Sequence, residues 1–166
     1  MRLWDSFDKN EISLSIIFVL VYIFYFWLSR RVNRQVRILG LLWGLSIGIL
    51  FDFTIGGGLL DFYRQNDTNH YDLFDVVYYL VFAPFGFFFF YFYEIFHINK
   101  KTFIYFTLAW SIVGVAAQWL FTFLDILTLQ KGYHLAYSFP VFLIVQTATG
   151  AFFEQVRKRE KVWSST

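Results

Sequence analysis

Apolar residues fall into five long blocks separated by short polar segments, at about residues 12–28, 38–60, 73–96, 103–127 and 135–153. Each block is close to the roughly 20 residues that cross a bilayer as an α-helix. The pattern predicts an all-α integral membrane protein, a bundle of five transmembrane helices in which residues 1–166 form a single membrane domain. Pro84 falls in the middle of the third block. A proline lacks an N–H and crowds the preceding turn, yet helices in lipid keep one where a neighbour satisfies the freed carbonyl, so the third helix is expected to kink at Pro84 without breaking. No internal repeat or low-complexity linker interrupts the pattern.

Small and polar residues interrupt the apolar blocks at helical spacing. The second block carries Gly40, Gly44 and Gly48, with Asp52 four residues on. The fourth carries Gly114, Gln118 and Thr122, followed by Asp125, and the fifth carries Gln146, Gly150 and Glu154. The third lines up Asp75, Tyr79, Phe82, Gly86 and Tyr93. Helices associate in lipid through small residues and interhelical hydrogen bonds, so these stripes read first as packed interior. The five glycines Gly40, Gly44, Gly48, Gly114 and Gly150 are expected to be packing positions, within the chain or between chains.

The polar segments set an orientation. Arg30, Arg31, Arg34 and Arg37 lie between the first two blocks, Lys100 and Lys101 between the third and fourth, and Arg157, Lys158, Arg159 and Lys161 after the fifth. Ten of the fourteen basic residues therefore fall on one side of a five-span chain. An excess of Lys and Arg marks the cytoplasmic side, which puts the N-terminus outside and the C-terminus inside. An uncleaved first span fits the order of acidic residues first and basic residues after, the reverse of a secretory signal.

Composition adds exclusions. The chain is 58% hydrophobic and only 16% charged, with aromatics at 25%. There is no cysteine, so disulfides, thiolate metal sites and thiol catalysis are excluded. His70, His97 and His134 are far apart and lack metal-ligand spacing. Gly56, Gly57 and Gly58 are not followed by the Lys-Ser/Thr of a phosphate loop, and no serine nucleophile motif is present. Nothing suggests nucleic-acid binding, a cofactor or a catalytic residue, and the chain is expected not to be an enzyme.

The stretch 52–75 holds five of the twelve acidic residues: Asp52, Asp61, Asp67, Asp72 and Asp75. Asp52 lies ~21 Å from the inner end of its block at 1.5 Å per residue. Gln118 has the same depth, and both fall in the outer third of a core of roughly 30 Å. A carboxylate at such depth costs about 2.5–3.5 kcal/mol on insertion scales and must be protonated, paired or wet. Asp52, Asp61, Asp67, Asp72, Asp75, Gln118 and Asp125 are therefore the candidate lining of an outward-facing ligand or ion pocket. The plainer reading is a loop of turn and cap residues, with Asp72 as helix N-cap. Asp67-x-Asn69 starts like a calcium loop but lacks its glycine and distal glutamate.

Asp61-x-Tyr63, Asn66-Asp67, Tyr71, Phe74-Asp75, Tyr78, Pro84-Phe85-Gly86, Tyr91 and Tyr137-Ser138-Phe139-Pro140 resemble an uncharacterised family of small multi-pass membrane proteins of Bacillus-like and clostridial Firmicutes. The resemblance spans roughly residues 40–145 and implies a bacterial plasma-membrane location. It supplies no activity and no catalytic residue.

These readings lead to a non-enzymatic membrane component that binds a partner or small ligand at an outward-facing polar pocket. Its partners are the lipid bilayer and a protein or second copy reached through the outer loop or the glycine ladder. The rival is a small ion- or proton-coupled carrier, or carrier subunit, using Asp52. An intramembrane lipid-modifying enzyme would need Asp52, Asp75 and Asp125 to converge.

Overall fold

The computed structural model describes residues 8–65 and 73–163. Five helices follow one another: α1 (Lys9–Ser29), α2 (Arg34–Thr54), α3 (Leu73–Ile95), α4 (Phe103–Phe123) and α5 (Ser138–Arg159). Two short strands, β1 (Tyr63–Gln65) and β2 (Leu127–Leu129), join them, and a 3-10 turn over Leu135–Tyr137 leads into α5. All five helices are long and apolar enough to span a membrane. Their burial is inverted relative to a soluble bundle: Ile16, Val19, Leu20, Ile23, Trp27, Ile112, Trp119 and Ile144 are exposed, while Thr107, Ser111, Gln118 and Thr149 are buried. The polar side chains are inside because an apolar solvent offers them no partners.

Several helix ends differ from the hydropathy blocks, and those that fall short of them do so for local reasons. α2 stops at Thr54, ahead of the expected 60. The chain folds back through the glycines, so that Leu59 N–H donates to Phe53 O at 3.1 Å and a Cβ at Gly58 would strike the Phe53 backbone. α4 stops at Phe123 because Asp125 turns left-handed, at φ 61°. Ile126 N–H then donates to Phe121 O (2.9 Å) and Asp125 N–H to Thr122 O (3.2 Å), the paired bonds of a Schellman ending. α3 ends likewise, with His97 at φ 50° and Ile98 N–H donating to Tyr93 O at 3.1 Å. α5 begins at Ser138, after the 3-10 turn.

α3 is the centre of the bundle: 56% of its apolar stretch is buried, against 22% or less for each other helix. α2 lies along it with its glycines inward. A Cβ on Gly40 would come within 2.8 Å of Phe87 Cα, one on Gly44 within 2.6 Å of Phe82 O, and one on Gly48 within 2.8 Å of Phe82 Cβ. The ladder is thus used inside the chain, between α2 and α3. Gly114 on α4 faces the Phe142 ring of α5, and Gly150 on α5 faces the Phe103 ring of α4. Pro84 lies inside α3 and cannot donate to Leu80 O. The Tyr22 hydroxyl of α1 donates to that same carbonyl at 3.1 Å.

The helices form two groups, α1–α2–α3 and α4–α5, and the seam between them is fastened at both ends. At one end, called here the sheet end, β1 pairs antiparallel with β2, Tyr63 opposite Leu129 and Gln65 opposite Leu127. Asp61 adds an ion pair to Lys131 at 3.0 Å. At the other, the arginine end, Arg157 bridges Glu154 (2.8 Å) and Glu94 (3.6 Å), and Tyr93 O–H donates to Glu154 at 2.8 Å. Asn33 N–H also donates to Val162 O at 2.8 Å, tying the tail to the α1–α2 connection. Stacked rings fill the arginine half of the seam, Trp43 on Phe152 (4.1 Å) and Phe90 on Phe153 (4.5 Å).

Candidate functional site

The sheet-end half of the seam is not filled. A cavity of about 110 Å³ runs there between α2 and α3 on one side and α4 and α5 on the other. Gly44, Gly48, Gly86 and Gly114 all lie on its wall. Aromatic rings surround it, including Trp43, Phe82, Phe89 and Trp110, and Tyr63 and Tyr78 close it towards the sheet.

Gln118 projects from α4 onto this wall and is only 6% exposed. Neither its Oε1 nor its Nε2 has a hydrogen-bond partner among the described residues. A buried polar group left unpaired costs about 1–3 kcal/mol. Gln146 of α5 lies on the same wall. Thr149 is satisfied there: its Oγ1 accepts from Trp43 Nε1 at 2.9 Å and donates to Val145 O at 2.8 Å.

Asp52 lies behind the tyrosines, in the last turn of α2. Its Oδ2 accepts from the Tyr79 hydroxyl at 2.6 Å, and its Oδ1 is buried with no hydrogen-bond partner among the described residues. Gly56 makes room for this carboxylate, since a Cβ there would come within 2.6 Å of Oδ1 and 2.8 Å of the Tyr63 ring. Tyr63 belongs to β1 and is 3% exposed. Burial first, and then the nearby Asp52 charge, push its hydroxyl well above the usual tyrosine range. It is therefore a neutral donor at any physiological pH. Three tyrosines from β1 and α3 thus gather around one carboxylate at the sheet end of the cavity.

The remaining sequence candidates are dispersed. Asp61 pairs with Lys131 and, at 3.6 Å, with Arg64, and Lys131 and then Arg64 hold its carboxyl below the ordinary range. Asp125 is exposed and pairs with Lys9 at 2.9 Å, away from Gln118 and Asp52. Its left-handed backbone ends α4, a structural duty. Asp75 is partly buried in the first turn of α3 and makes contacts of its own. Asp67 and Asp72 lie outside the described residues. Of the five candidates among the described residues, only Gln118 is on the cavity wall, with Asp52 one tyrosine layer behind it. Among the described residues, no three His, Asp or Glu side chains gather as a metal-binding group.

The chemistry this arrangement offers is recognition. It presents an apolar, ring-lined space, the unpaired carboxamide of Gln118 with that of Gln146 on the same wall, and tyrosine hydroxyls around a carboxylate. Sequence reasoning missed Tyr63 and Tyr78 as wall residues. The i, i+4 step from Asp75 to Tyr79 marks the inner face of α3, and Tyr78 adjoins it, but nothing local announces that Tyr63 folds back beneath the sheet.

Comparison with family models, with curated proteins and with solved structures finds no match to this chain.

Proposed function

We propose that this chain is a multi-pass, non-enzymatic component of a bacterial plasma membrane that binds a small ligand in the seam of its helix bundle. The observation that carries the proposal is the cavity walled by Tyr63, Tyr78 and Gln118, with a carboxamide left unpaired. The charge pattern of the loops supports a membrane orientation with the N-terminus and the sheet end outside and the arginine end inside. The missing N–H at Pro84 and its ring support a bend in α3 at that level. The Firmicute resemblance supports the host membrane. A protein partner or second copy would meet the chain at the sheet end, since the glycine ladder is already packed against α3.

The test is co-purification. The full chain is isolated from native membranes in mild detergent, extracted with organic solvent and analysed by mass spectrometry beside Ala117→Phe, which puts a ring into the cavity. The expected result is a compound carried by the wild type and lost from the variant. Identical extracts from both would sink the reading.

The alternative is an ion- or proton-coupled carrier using Asp52. It is favoured by the buried Oδ1, which has no hydrogen bond among the described residues and so offers a position for a proton or cation. In proteoliposomes, Asp52→Asn should abolish pH-dependent uptake of the co-purified compound; uptake that keeps its pH dependence rules this reading out.

A further inference from the structure

We infer that the cavity takes a flat, ring-sized, lipid-soluble molecule that presents a hydrogen-bond donor beside an acceptor to Gln118, as the edge of a lactam does. The inference rests on the ligand-binding reading above and adds the chemistry of the ligand and its route of entry.

Size comes first. A cavity of about 110 Å³ is of the same order as the roughly 150 Å³ apolar cavity known to admit benzene, which limits the buried part of the ligand to a single ring. Shape follows from the walls, where Trp43, Phe82, Phe89 and Trp110 present ring surfaces that favour stacked or edge-on aromatic contact. Polarity follows from Gln118, whose carboxamide sets an acceptor and a donor side by side and leaves both unmet. A lactam edge meets both at once. A single water is held poorly there, because a buried water needs two to four polar partners and the neighbouring wall is mainly apolar.

The route of entry follows from Val113, which lines the cavity at the middle of α4 and is still 45% exposed. Its neighbour Ile112 is 60% exposed and Ile144 on α5 is 71% exposed. The seam therefore reaches the apolar surface of the bundle at mid-helix depth. In a bilayer that surface meets hydrocarbon, and the ligand enters sideways from the lipid, with any apolar tail trailing through the mouth beside Val113.

The experiment uses the full chain in phosphatidylcholine–phosphatidylglycerol nanodiscs and two probes of matched shape, 6-hexyl-2-pyridone and hexylbenzene. Binding is read as the concentration-dependent rise in thermal unfolding midpoint, which reports ligand held by the folded state. The pyridone is expected to bind at least about tenfold more tightly than hexylbenzene, the difference of one well-made buried hydrogen bond. Gln118→Met keeps the length of the side chain and removes the orphaned amide, so it folds at least as well, and it should erase the tenfold preference. Ala117→Phe should abolish binding of both probes. Equal binding of the two probes to the wild type, or a preference that survives Gln118→Met, overturns the donor–acceptor edge. Binding of neither probe overturns the inference entirely. Co-purification decides the functional reading separately, since a bound compound lacking a donor–acceptor edge would keep that reading and end this one.

Discussion

Among the described residues Asp52 is held by a short hydrogen bond from the Tyr79 hydroxyl at 2.6 Å, and its second oxygen is buried without one. A hydrogen bond to a charged group contributes about 1.5–3 kcal/mol. Tyr79→Phe should lower stability by about that amount, and the double change with Asp52→Asn should cost clearly less than the two single changes added. Unfolding midpoints of the four proteins in one detergent measure this; strictly additive costs would separate the pair. Asp125 makes the opposite case. It was a site candidate by sequence, yet the structure gives it a left-handed backbone at φ 61° and an exposed partner, Lys9. The left-handed conformation costs a side-chain-bearing residue about 1–2 kcal/mol, while an exposed pair contributes about 0.2–1 kcal/mol. Asp125→Gly should therefore leave stability unchanged or raise it by up to about 2 kcal/mol, and a clear fall would give the carboxylate a larger role than ending a helix.

At the level of elements, much of α2 and α3 was legible. The four-residue step of Gly40, Gly44 and Gly48 marks one face, and that face does meet α3. The step could not choose between a neighbour in the same chain and one in another, because both need the same small residues. Gly44→Ala should be severely destabilising, since the new Cβ would meet the carbonyl oxygen of Phe82 at 2.6 Å and a backbone cannot rotate aside. Gly57→Ala is the control, with nothing within 4 Å of its Cβ. Thermal unfolding should separate the two variants by several degrees, and equal midpoints would mean that α2 and α3 can part at no cost. The expected tolerance of Pro84 also has its physical partner. The carbonyl it leaves free, Leu80 O, accepts from Tyr22 O–H at 3.1 Å. That partner was not legible, because it depends on which residue of α1 faces α3 at that height. Tyr22→Phe should cost about 0.5–1.5 kcal/mol in the wild type and close to nothing once Pro84→Ala has returned the helical N–H. The same cost in both backgrounds would show that the tyrosine does not serve that carbonyl.

At the scale of the molecule, hydropathy gave five helices, and the alternation of loops gave two ends, but neither gave the division into α1–α2–α3 and α4–α5. That division depends on contacts between residues far apart, such as Tyr63 opposite Leu129, and strands of three residues are too short to leave a period in the sequence. The cavity follows from it: two groups joined at their ends and held apart by rings leave space along the seam. The sheet-end fastening should be sensitive to acid in a way its sequence explains. Asp61 is bonded to Lys131, and Lys131 and then Arg64 lower its pKa in the folded protein. Its contribution is therefore present above the ordinary Asp value of about 3.9 and is lost as pH falls through the lower folded value. Stability of the wild type should fall across that acid window, and Asp61→Asn should be less stable at pH 7 but show a smaller decline on acidification. Lys131→Met should also be less stable at pH 7, with an acid decline between those of the wild type and Asp61→Asn, because Arg64 at 3.6 Å still faces the carboxylate. Unfolding midpoints recorded from pH 7 down to about 3 test this. If Asp61→Asn and the wild type decline in parallel, the acid-sensitive groups lie elsewhere, and the Asp61–Lys131 pair adds nothing measurable to the fastening at the sheet end.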